Sequence, residues 1–295
     1  MTAPADEHAL GIRRGIGSML ASGIVLAFSD TVMKGLTVAM PPPQLAATRA
    51  GIACVLIVGF LWFRRELASL RVGNWKGQSV RAALFGANTV LLLMAFKYMP
   101  LADAMALQFA NPLFITALAP FMLGERIGWR RWAAVAAGFV GVVLIVRPTG
   151  ETRDLIALLP LGSAVCAALR DIVTRKICAT ETTGSMLLTG MVGVCLLGGV
   201  ASPLGWIAPD ASMLAWVALG SVLQSLGLIF GIRAFRWADA SIVAPFRYCA
   251  LIWVTILGFV VFGEIPATHV FAGIALVVAA NLYIFHRETR RRHRG

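Results

Sequence analysis

The chain has 295 residues, of which 59% are hydrophobic and only 14% are charged, and its mean hydropathy is +0.81. Soluble globular domains carry about 25% charged residues, so this composition excludes an ordinary water-soluble fold. The formal net charge of +12 does not indicate nucleic-acid binding, because the basic residues lie in short runs between apolar segments without interleaved aromatic residues.

Apolar runs of about 20 residues recur along the chain, and at 1.5 Å per residue each can cross a hydrocarbon layer of about 30 Å. We interpret the first run, of about 24 residues, as a membrane helix, since it is longer than the core of a cleaved signal peptide. Ten membrane-spanning helices are predicted, at residues 15–38, 42–63, 80–98, 101–122, 131–147, 155–178, 184–204, 211–235, 240–262 and 266–286.

The basic residues are distributed unevenly over this predicted topology. If the spans alternate in direction, most of the 26 Lys and Arg residues lie on the side of the N-terminus, and among the connections of the other side only Lys97, Arg147 and Arg153 occur. Because connections rich in Lys and Arg stay in the cytoplasm, both termini are predicted to be cytoplasmic, with residues 1–14 and 287–295 as tails.

Short motifs recur about 140 residues apart, which indicates an internal repeat. Two five-helix units, residues 15–147 and 155–286, are therefore predicted, joined by a linker at 148–154. Because five is an odd number, the second unit crosses the membrane in the opposite direction to the first, within an all-α integral membrane protein. The matching motifs are AFKY at 95–98 with AFRW at 234–237, ADA at 102–104 with ADA at 238–240, LGE at 123–125 with FGE at 262–264, and SDTVMK at 29–34 with RDIVTR at 170–175.

Two tandem five-helix units, with ADA opening the fourth and ninth spans and LGE or FGE closing them, resemble the EamA-like branch of the drug/metabolite transporter superfamily. The resemblance covers residues 15–286. It implies a ten-helix protein that exports or exchanges small metabolites, often amino acids, across the bacterial cytoplasmic (inner) membrane. The halves differ at one step, Asn111-Pro112 against Ala244-Pro245, so the two are not expected to supply identical binding residues.

Inverted repeats of apolar helices are the architecture of many secondary transporters, in which the two halves exchange conformations. We therefore expect transport of a small molecule by alternating access, driven by protons or by substrate exchange, in a monomer or homodimer surrounded by the lipid bilayer. One alternative is a multidrug or lipophilic-cation exporter of the same fold. Another, from a different class, is a membrane receptor or assembly protein that transports nothing, although the short connections offer little surface to a partner.

Ionisable residues inside the spans are energetically costly, so each is a functional hypothesis. Asp30 and Lys34 lie one helical turn apart in the first span, and Arg49 has a similar depth in the second. Asp171 in the sixth span and Arg247 in the ninth also share a depth. We predict an outer ion pair, Asp30 with Arg49 or Lys34, and an inner pair, Asp171 with Arg247, which break alternately as the two sides open. The alternative is static pairing or snorkelling to the membrane surface.

A substrate site is expected near the midplane, where the two halves meet. Polar groups there would bind an amino or carboxylate group and aromatic side chains would form an apolar wall, although polar side chains also serve simply to join membrane helices. Pro112 and Pro245 are each expected to free a backbone carbonyl one turn earlier. The predicted substrate-binding residues are Asn88, Gln108, Asn111, Gln224, Tyr248 and Trp253.

Two further predictions concern packing and helix ends. Gly138 and Gly141 of the fifth span and Gly273 of the tenth are expected to form close-packing surfaces at the periphery. Glu125 and Glu264 are each expected to stabilise the N-terminus of the helix that follows, because a carboxylate is favoured there.

Several activities are excluded by what the sequence lacks. No G-x-x-x-x-G-K-[ST] motif occurs, so a P-loop ATPase is not predicted. The four histidines lie at span ends or in tails and the five cysteines show no ligand spacing, so neither a metal site, a disulfide framework nor a cofactor is expected. Ser29 with Lys34 is the only combination that could suggest a hydrolase, and we predict that the protein is not an enzyme.

Overall fold

The computed structural model describes residues 4–124, 127–148, 155–178, 180–201, 205–238 and 240–292. Within these ranges there are helices and no strands, which confirms the all-α prediction. Short 3-10 turns occupy Leu67–Leu70 and Ala244–Tyr248. The helices are α1 (Pro4–Ala39), α2 (Pro42–Phe63), α3 (Trp75–Tyr98), α4 (Leu101–Gln108), α5 (Asn111–Leu123), α6 (Trp129–Val146), α7 (Leu158–Ile177), α8 (Thr183–Val200), α9 (Ala211–Trp237), α10 (Ala240–Val243), α11 (Cys249–Phe262) and α12 (Thr268–Arg292).

These helices make up the ten predicted spans, with α4 and α5 forming the fourth and α10, a 3-10 turn and α11 forming the ninth. In the part of the chain that the structure describes, nine stretches are long and apolar enough to cross a membrane. The remaining predicted span, 155–178, also forms a helix, α7, but its charged residues lower its hydropathy. Those residues are Arg170, Asp171, Arg175 and Lys176.

Two helices begin earlier than predicted. Helix α1 begins at Pro4 rather than at residue 15, and α3 begins at Trp75 rather than at residue 80. The Asn74 side chain accepts a hydrogen bond from the Gly77 N–H at 2.9 Å and so caps α3. The predictions placed both starts too late because they followed apolar runs, whereas the first turns of these helices are polar.

The helices pair in a pattern that maps onto itself when each span is exchanged with the span five places later. Helix α1 lies along α9, and their counterparts α7 and α3 lie along each other; α2 packs against α8 and α6 against α12. Ser22 in α1 donates to the Gly227 carbonyl in α9 at 2.7 Å, and Ser163 in α7 donates to the Asn88 carbonyl in α3 at 2.9 Å. Equivalent helices of the two halves are thus joined by the same kind of hydrogen bond.

The outside of the bundle is apolar. Large hydrophobic side chains such as Val38, Phe63 and Phe121 are almost fully exposed, whereas Gln44, Gln78 and other polar side chains are buried. A soluble protein rarely exposes so much apolar surface. This distribution fits a bundle whose outer surface contacts lipid.

The small residues of α6 and α12 bring these two helices into backbone contact. A Cβ atom on Gly141 would lie 2.9 Å from the Gly273 carbonyl oxygen, and one on Gly273 would lie 2.7 Å from the Gly141 carbonyl oxygen. Gly138 faces Leu113 of α5 just as closely, at 2.5 Å. The prediction of close-packing surfaces at these glycines is confirmed.

Connections between helices are tied together by side chains at both ends of the bundle. At the face where α1 ends, Gln44 donates to the Ile207 carbonyl at 2.5 Å and accepts from the Ile207 N–H at 3.0 Å. This amide therefore joins the start of α2 to the connection between α8 and α9.

At the face where α1 begins, the Glu181 carboxylate likewise joins two connections by hydrogen bonds. Its Oε1 accepts from the backbone N–H groups of Gly73 and Asn74 at 2.9 and 2.5 Å, and its Oε2 accepts from Gln78 Nε2 and Ser185 Oγ at 2.9 and 3.1 Å. The connection between α7 and α8 is thereby fixed to the start of α3.

We expect Glu181 to make the stability of the protein depend on acid. Its hydrogen bonds, above all that from Gln78, hold the pKa of this carboxyl below its ordinary value of 4.5. Because the pKa is lower in the folded than in the unfolded state, the carboxylate stabilises the fold at neutral pH, and this contribution is lost as the pH falls through the folded-state pKa. Glu181→Gln should therefore lower the Tm of the detergent-purified protein at pH 7.

The difference in Tm between wild type and Glu181→Gln should shrink as the solution is acidified below pH 4.5. Glu66→Gln is the matched control, since that carboxylate is exposed and pairs only with the exposed Arg64. A difference between wild type and Glu181→Gln that is constant over this range would contradict the assignment.

Candidate functional site

Both the fourth and the ninth spans are interrupted inside the bundle. Helix α4 ends at Gln108 and α5 begins at Asn111, just before Pro112; Pro245 lies in the 3-10 turn that precedes α11. Proline supplies no backbone N–H and clashes with the preceding turn. The freed carbonyl predicted before Pro112 is present: the Phe109 carbonyl at the first break accepts a hydrogen bond of 3.0 Å from Asn281 of α12.

A polar network joins the first broken span to α3 and α7. Asn88 Oδ1 accepts from Gln108 Nε2 at 3.1 Å and from Ser163 Oγ at 2.9 Å. Gln108 Oε1 is buried and has no hydrogen-bond partner among the described residues. The structure thus brings together two of the predicted substrate-binding residues, Asn88 and Gln108.

Asp171 forms an ion pair with its neighbour Arg170 and not with Arg247. Arg170 donates through Nε and Nη2 to Asp171 Oδ1 at 3.0 and 2.8 Å, and Asn111 Nδ2 donates to Asp171 Oδ2 at 3.3 Å. Arg247 is exposed. The predicted inner pair is therefore not formed in this structure, since equal depth in the membrane does not determine which way a side chain faces around its helix. The Arg170 guanidinium also lies 5.1 Å from the centre of the Phe85 ring.

A small cavity of about 40 Å³ lies between α2, α3, α8 and α9. One wall is polar, with Ser221, Gln224 and Ser225 of α9, and the opposite side carries Phe85 and other apolar residues. Each half of the chain contributes two of the four helices. This volume is far below the roughly 300 to 1,000 Å³ of small-molecule sites, so the cavity must widen before it can hold such a molecule.

Arg49 is the charged residue that lines this cavity. Its side chain is buried, with 9% of the residue exposed, and Nη2 donates one long hydrogen bond of 3.3 Å to Ser29 Oγ. The Nε–H group is buried and has no partner in the described ranges. A guanidinium has five N–H donors, so most of the hydrogen-bonding capacity of Arg49 is unused by protein side chains.

Neither version of the predicted outer pair, Asp30 with Arg49 or Asp30 with Lys34, is formed in this structure. No Lys or Arg nitrogen of the described chain lies within 4.0 Å of the Asp30 carboxylate, although the charge of Arg49 acts on Asp30 at longer range. Lys34 instead bonds to Glu264 Oε1 at 2.7 Å. A one-turn separation made the pairing with Asp30 possible, but Lys34 extends away from it toward the end of α1.

The contact between Lys34 and Glu264 ties three segments together at the face where α1 ends. Lys34 Nζ also donates to the Met99 carbonyl at 2.7 Å, and Glu264 Oε2 accepts from the backbone N–H of Leu101 at 2.8 Å. Glu264 therefore caps α4 and not the helix that follows it, which corrects the prediction. The corresponding prediction for Glu125 lies outside the described residues.

The other predicted site residues occupy separate places. Gln224 shares the cavity with Arg49. The Tyr248 ring lies 5.5 Å from that of Phe109 at the first helix break, and Trp253 packs against the buried core of α1, α2 and α3. The structure therefore divides the predicted set between a cavity and a network beside it.

These two polar regions offer complementary hydrogen-bonding groups. The cavity presents unused donors on Arg49, whereas the network leaves two acceptors without donors, Gln108 Oε1 and Asn111 Oδ1. Within the described ranges no group of three or more His, Cys, Asp or Glu residues could hold a metal ion. Gln108 and Asn111 do not line the cavity, so the two polar regions are separate in this structure.

Sequence reasoning missed several residues that the structure places at these sites. Asn281 is 2% exposed and bonds to the first helix break, but its span was read as plain packing surface. Ser163 aligns with Ser22 in the repeat, and that correspondence could have identified it. Arg170 lies next to Asp171 in the chain, but the prediction chose the partner of Asp171 by depth in the membrane and so did not include it.

Comparisons with known proteins give a family match to the first half of the chain and relatives that cover most of it. A family model described as the EamA-like transporter family matches residues 13–147. The riboflavin transporter of Rhizobium johnstonii is 30% identical over 276 residues, covering 92% of this chain and 91% of that protein.

Other relatives differ in what they carry. The S-adenosylmethionine uptake transporter of Rickettsia felis is 26% identical, with 94% of both chains covered, and the pseudopaline exporter CntI of Pseudomonas aeruginosa is 29% identical, with 89% of this chain and 95% of the exporter covered. A crystal structure with 20% identity superposes with a TM-score of 0.62 over 95% of this chain and 97% of that chain, which shows a shared fold.

Proposed function

The chain belongs to the EamA-like transporter family of the drug/metabolite transporter superfamily, and from this we propose that it moves small metabolites of the amino-acid type across the bacterial inner membrane by alternating access. It is a multi-pass membrane transporter and not an enzyme. We propose the substrate class, alternating access and the coupling, and no direction of transport.

The observation that carries the proposal is the cavity between α2, α3, α8 and α9. It is built by both halves of the chain, and it combines a buried arginine, an amide and hydroxyl groups with an apolar wall. An amino acid has a carboxylate, an ammonium group and a side chain, so such a lining is complementary to it. The unpartnered amide oxygens of Gln108 and Asn111 lie outside this lining, and they become partners for an N–H donor only if the bundle opens toward them.

The relatives support a polar organic substrate without agreeing on one. They are named for riboflavin, S-adenosylmethionine and pseudopaline. S-adenosylmethionine contains an α-amino-acid group, which favours the proposed class. Named functions in this set include both uptake and export, so the relatives do not favour a direction.

Alternating access is supported by the two sets of contacts at opposite ends of the bundle. Lys34 with Glu264 closes the face where α1 ends, and Asp171 with Arg170 and Asn111 lies toward the other face. The excess of Lys and Arg on the side of the N-terminus supports cytoplasmic termini. Coupling to protons, through Asp30 or Asp171, and a monomeric or homodimeric assembly complete the proposal.

A lipophilic-cation exporter is a second candidate, and one observation favours it. Asp30 has no ion-pair partner within 4.0 Å in the described chain, and a carboxylate of this kind in a membrane protein suits a cationic substrate. The charge of Arg49 acts against that role, so amino acids remain our first choice.

We expect the purified protein in proteoliposomes preloaded with unlabelled amino acids to exchange labelled threonine, methionine or tryptophan faster than protein-free liposomes do. A response to an imposed pH gradient would report proton coupling. The same vesicles should also be tested with riboflavin, S-adenosylmethionine and tetraphenylphosphonium. Exchange of the last compound alone would support the second candidate, and exchange of riboflavin alone would contradict both.

A further inference from the structure

Arg49 is a cation enclosed in an apolar bundle with almost no protein partner. It lies about 10 Å from the start of α2, and one hydrogen bond of 3.3 Å to Ser29 Oγ is the direct contact recorded for its guanidinium. A charged group in this position costs several kcal/mol unless it is paired. Its burial therefore requires either a structural counter-ion or an anion that binds there.

The groups that face Arg49 come from every element around the cavity. Helix α1 provides Ser29 and, at longer range, the carboxylate of Asp30; α9 provides Ser221 and Gln224; the contributions of α3 and α8 include Phe85 but no charge. No carboxylate lines the cavity itself in the described structure. The positive charge of Arg49 is therefore directed toward a space bounded by neutral polar and apolar groups.

We propose that Arg49 binds the carboxylate group of the transported metabolite in this cavity. The planar guanidinium donates two parallel hydrogen bonds to the two oxygens of a carboxylate, and the unpartnered Nε–H is one donor of such a pair. Gln224 and the hydroxyl of Ser221 line the same space and bind the polar groups next to the carboxylate. This inference rests on the proposed function and narrows its substrate class to compounds that carry a carboxylate.

The rival explanation is that Arg49 serves only as a counter-ion for Asp30. Under that explanation, removal of both charges together should restore what removal of one destroys. Under the proposal, the double variant Asp30→Asn/Arg49→Gln still lacks the carboxylate-binding group, so it should not regain preference for a carboxylate.

The test compares L-methionine with L-methioninol, in which the carboxylate is replaced by a hydroxymethyl group. The transport readout is competition with labelled methionine in proteoliposomes, and the binding readout is the melting temperature of detergent-purified protein in the presence of each compound. The variants are Arg49→Gln, Arg49→Lys and the double variant, with Arg64→Gln as control because that arginine is exposed at the other end of the same helix.

We expect wild type and Arg64→Gln to prefer L-methionine, Arg49→Gln to bind it about 30-fold more weakly, and Arg49→Lys about 10-fold more weakly. The binding of L-methioninol should be the same in the wild type and in the variants. Equal competition by both compounds in the wild type, or a double variant with wild-type preference, would overturn the inference while leaving transport intact.

The two proposals can fail separately. Suppose that the wild type exchanges none of the amino acids, but that L-methionine raises the melting temperature of the wild type and leaves that of the Arg49→Gln variant unchanged. The carboxylate site then stands, and the proposed transport of amino acids does not. If L-methionine produces neither exchange nor stabilisation, the carboxylate site is overturned as well.

Discussion

Replacing Gly193 with leucine is expected to prevent the bundle from assembling. A Cβ atom at this position of α8 would lie 2.4 Å from the Ala82 carbonyl oxygen and 2.7 Å from the Ala82 Cβ of α3. The obstructing atoms belong to a helix backbone and cannot rotate away, and Gly86 meets the same contact from the other side, 2.8 Å from the Gly193 carbonyl oxygen. Helices α3 and α8 would have to separate.

The expected destabilisation is about 3 kcal/mol or more, because overpacking here displaces main chain and not a flexible side chain. It should appear as loss of the monodisperse peak in size-exclusion chromatography and as a lower melting temperature. Gly199→Leu is the matched control on the same helix, since nothing lies within 4 Å of a Cβ atom there. A Gly193→Leu protein as stable as Gly199→Leu would show that α3 and α8 do not pack as described.

Replacing Lys34 with glutamine is expected to open the face of the protein at which α1 ends. The substitution removes the 2.7 Å ion pair with Glu264 and the bond to the Met99 carbonyl, and so releases α1 from the connections that precede α4 and α12. Loss of one partner of a largely buried pair, discounted for the 21% exposure of the Glu264 side chain, costs about 2 kcal/mol. The closed arrangement should become about 30-fold less favoured.

Lys34, Thr37 and Lys97 line an open pocket at this face, called the vestibule below. Labelling of a cysteine at Thr37 by a water-soluble maleimide measures the change, because Thr37 is only 1% exposed in the closed arrangement. The five native cysteines are first replaced. Lys97→Gln is the control, since Lys97 lines the same vestibule and takes part in no ion pair of the described structure. Labelling at equal rates in both variants would mean that the contact between Lys34 and Glu264 does not hold this face shut.

Much of the fold follows from the sequence because membrane helices obey simple rules. A span needs about 20 apolar residues whatever its partners, and the repeated motifs relate the two halves without any knowledge of packing. The free carbonyl before Pro112 was equally predictable, since proline supplies no backbone N–H of its own.

Partners of individual side chains could not be predicted in the same way. Lys34 lies one turn from Asp30, yet it bonds to Glu264, which is distant in sequence and lies close to it only in the folded bundle. Arg247 shares a depth with Asp171 but faces outward. The sequence gives the depth of a side chain in the membrane and its position on the helical turn. The direction in which that turn faces depends on the rotation of the helix, which is set by the completed packing.

The charges of α7 also have a consequence for how the protein is made. Arg170 and Asp171 would each cost about 3 kcal/mol at the centre of an isolated helix entering lipid, so α7 is poorly suited to insert alone. Helix α3 is synthesised first and provides its long partner surface, including Phe85 under Arg170 and Arg81, which bonds to Thr174 at 2.9 Å. We therefore expect α7 to enter the bilayer more readily when α3 is already there, so that the first half assists the insertion of the second.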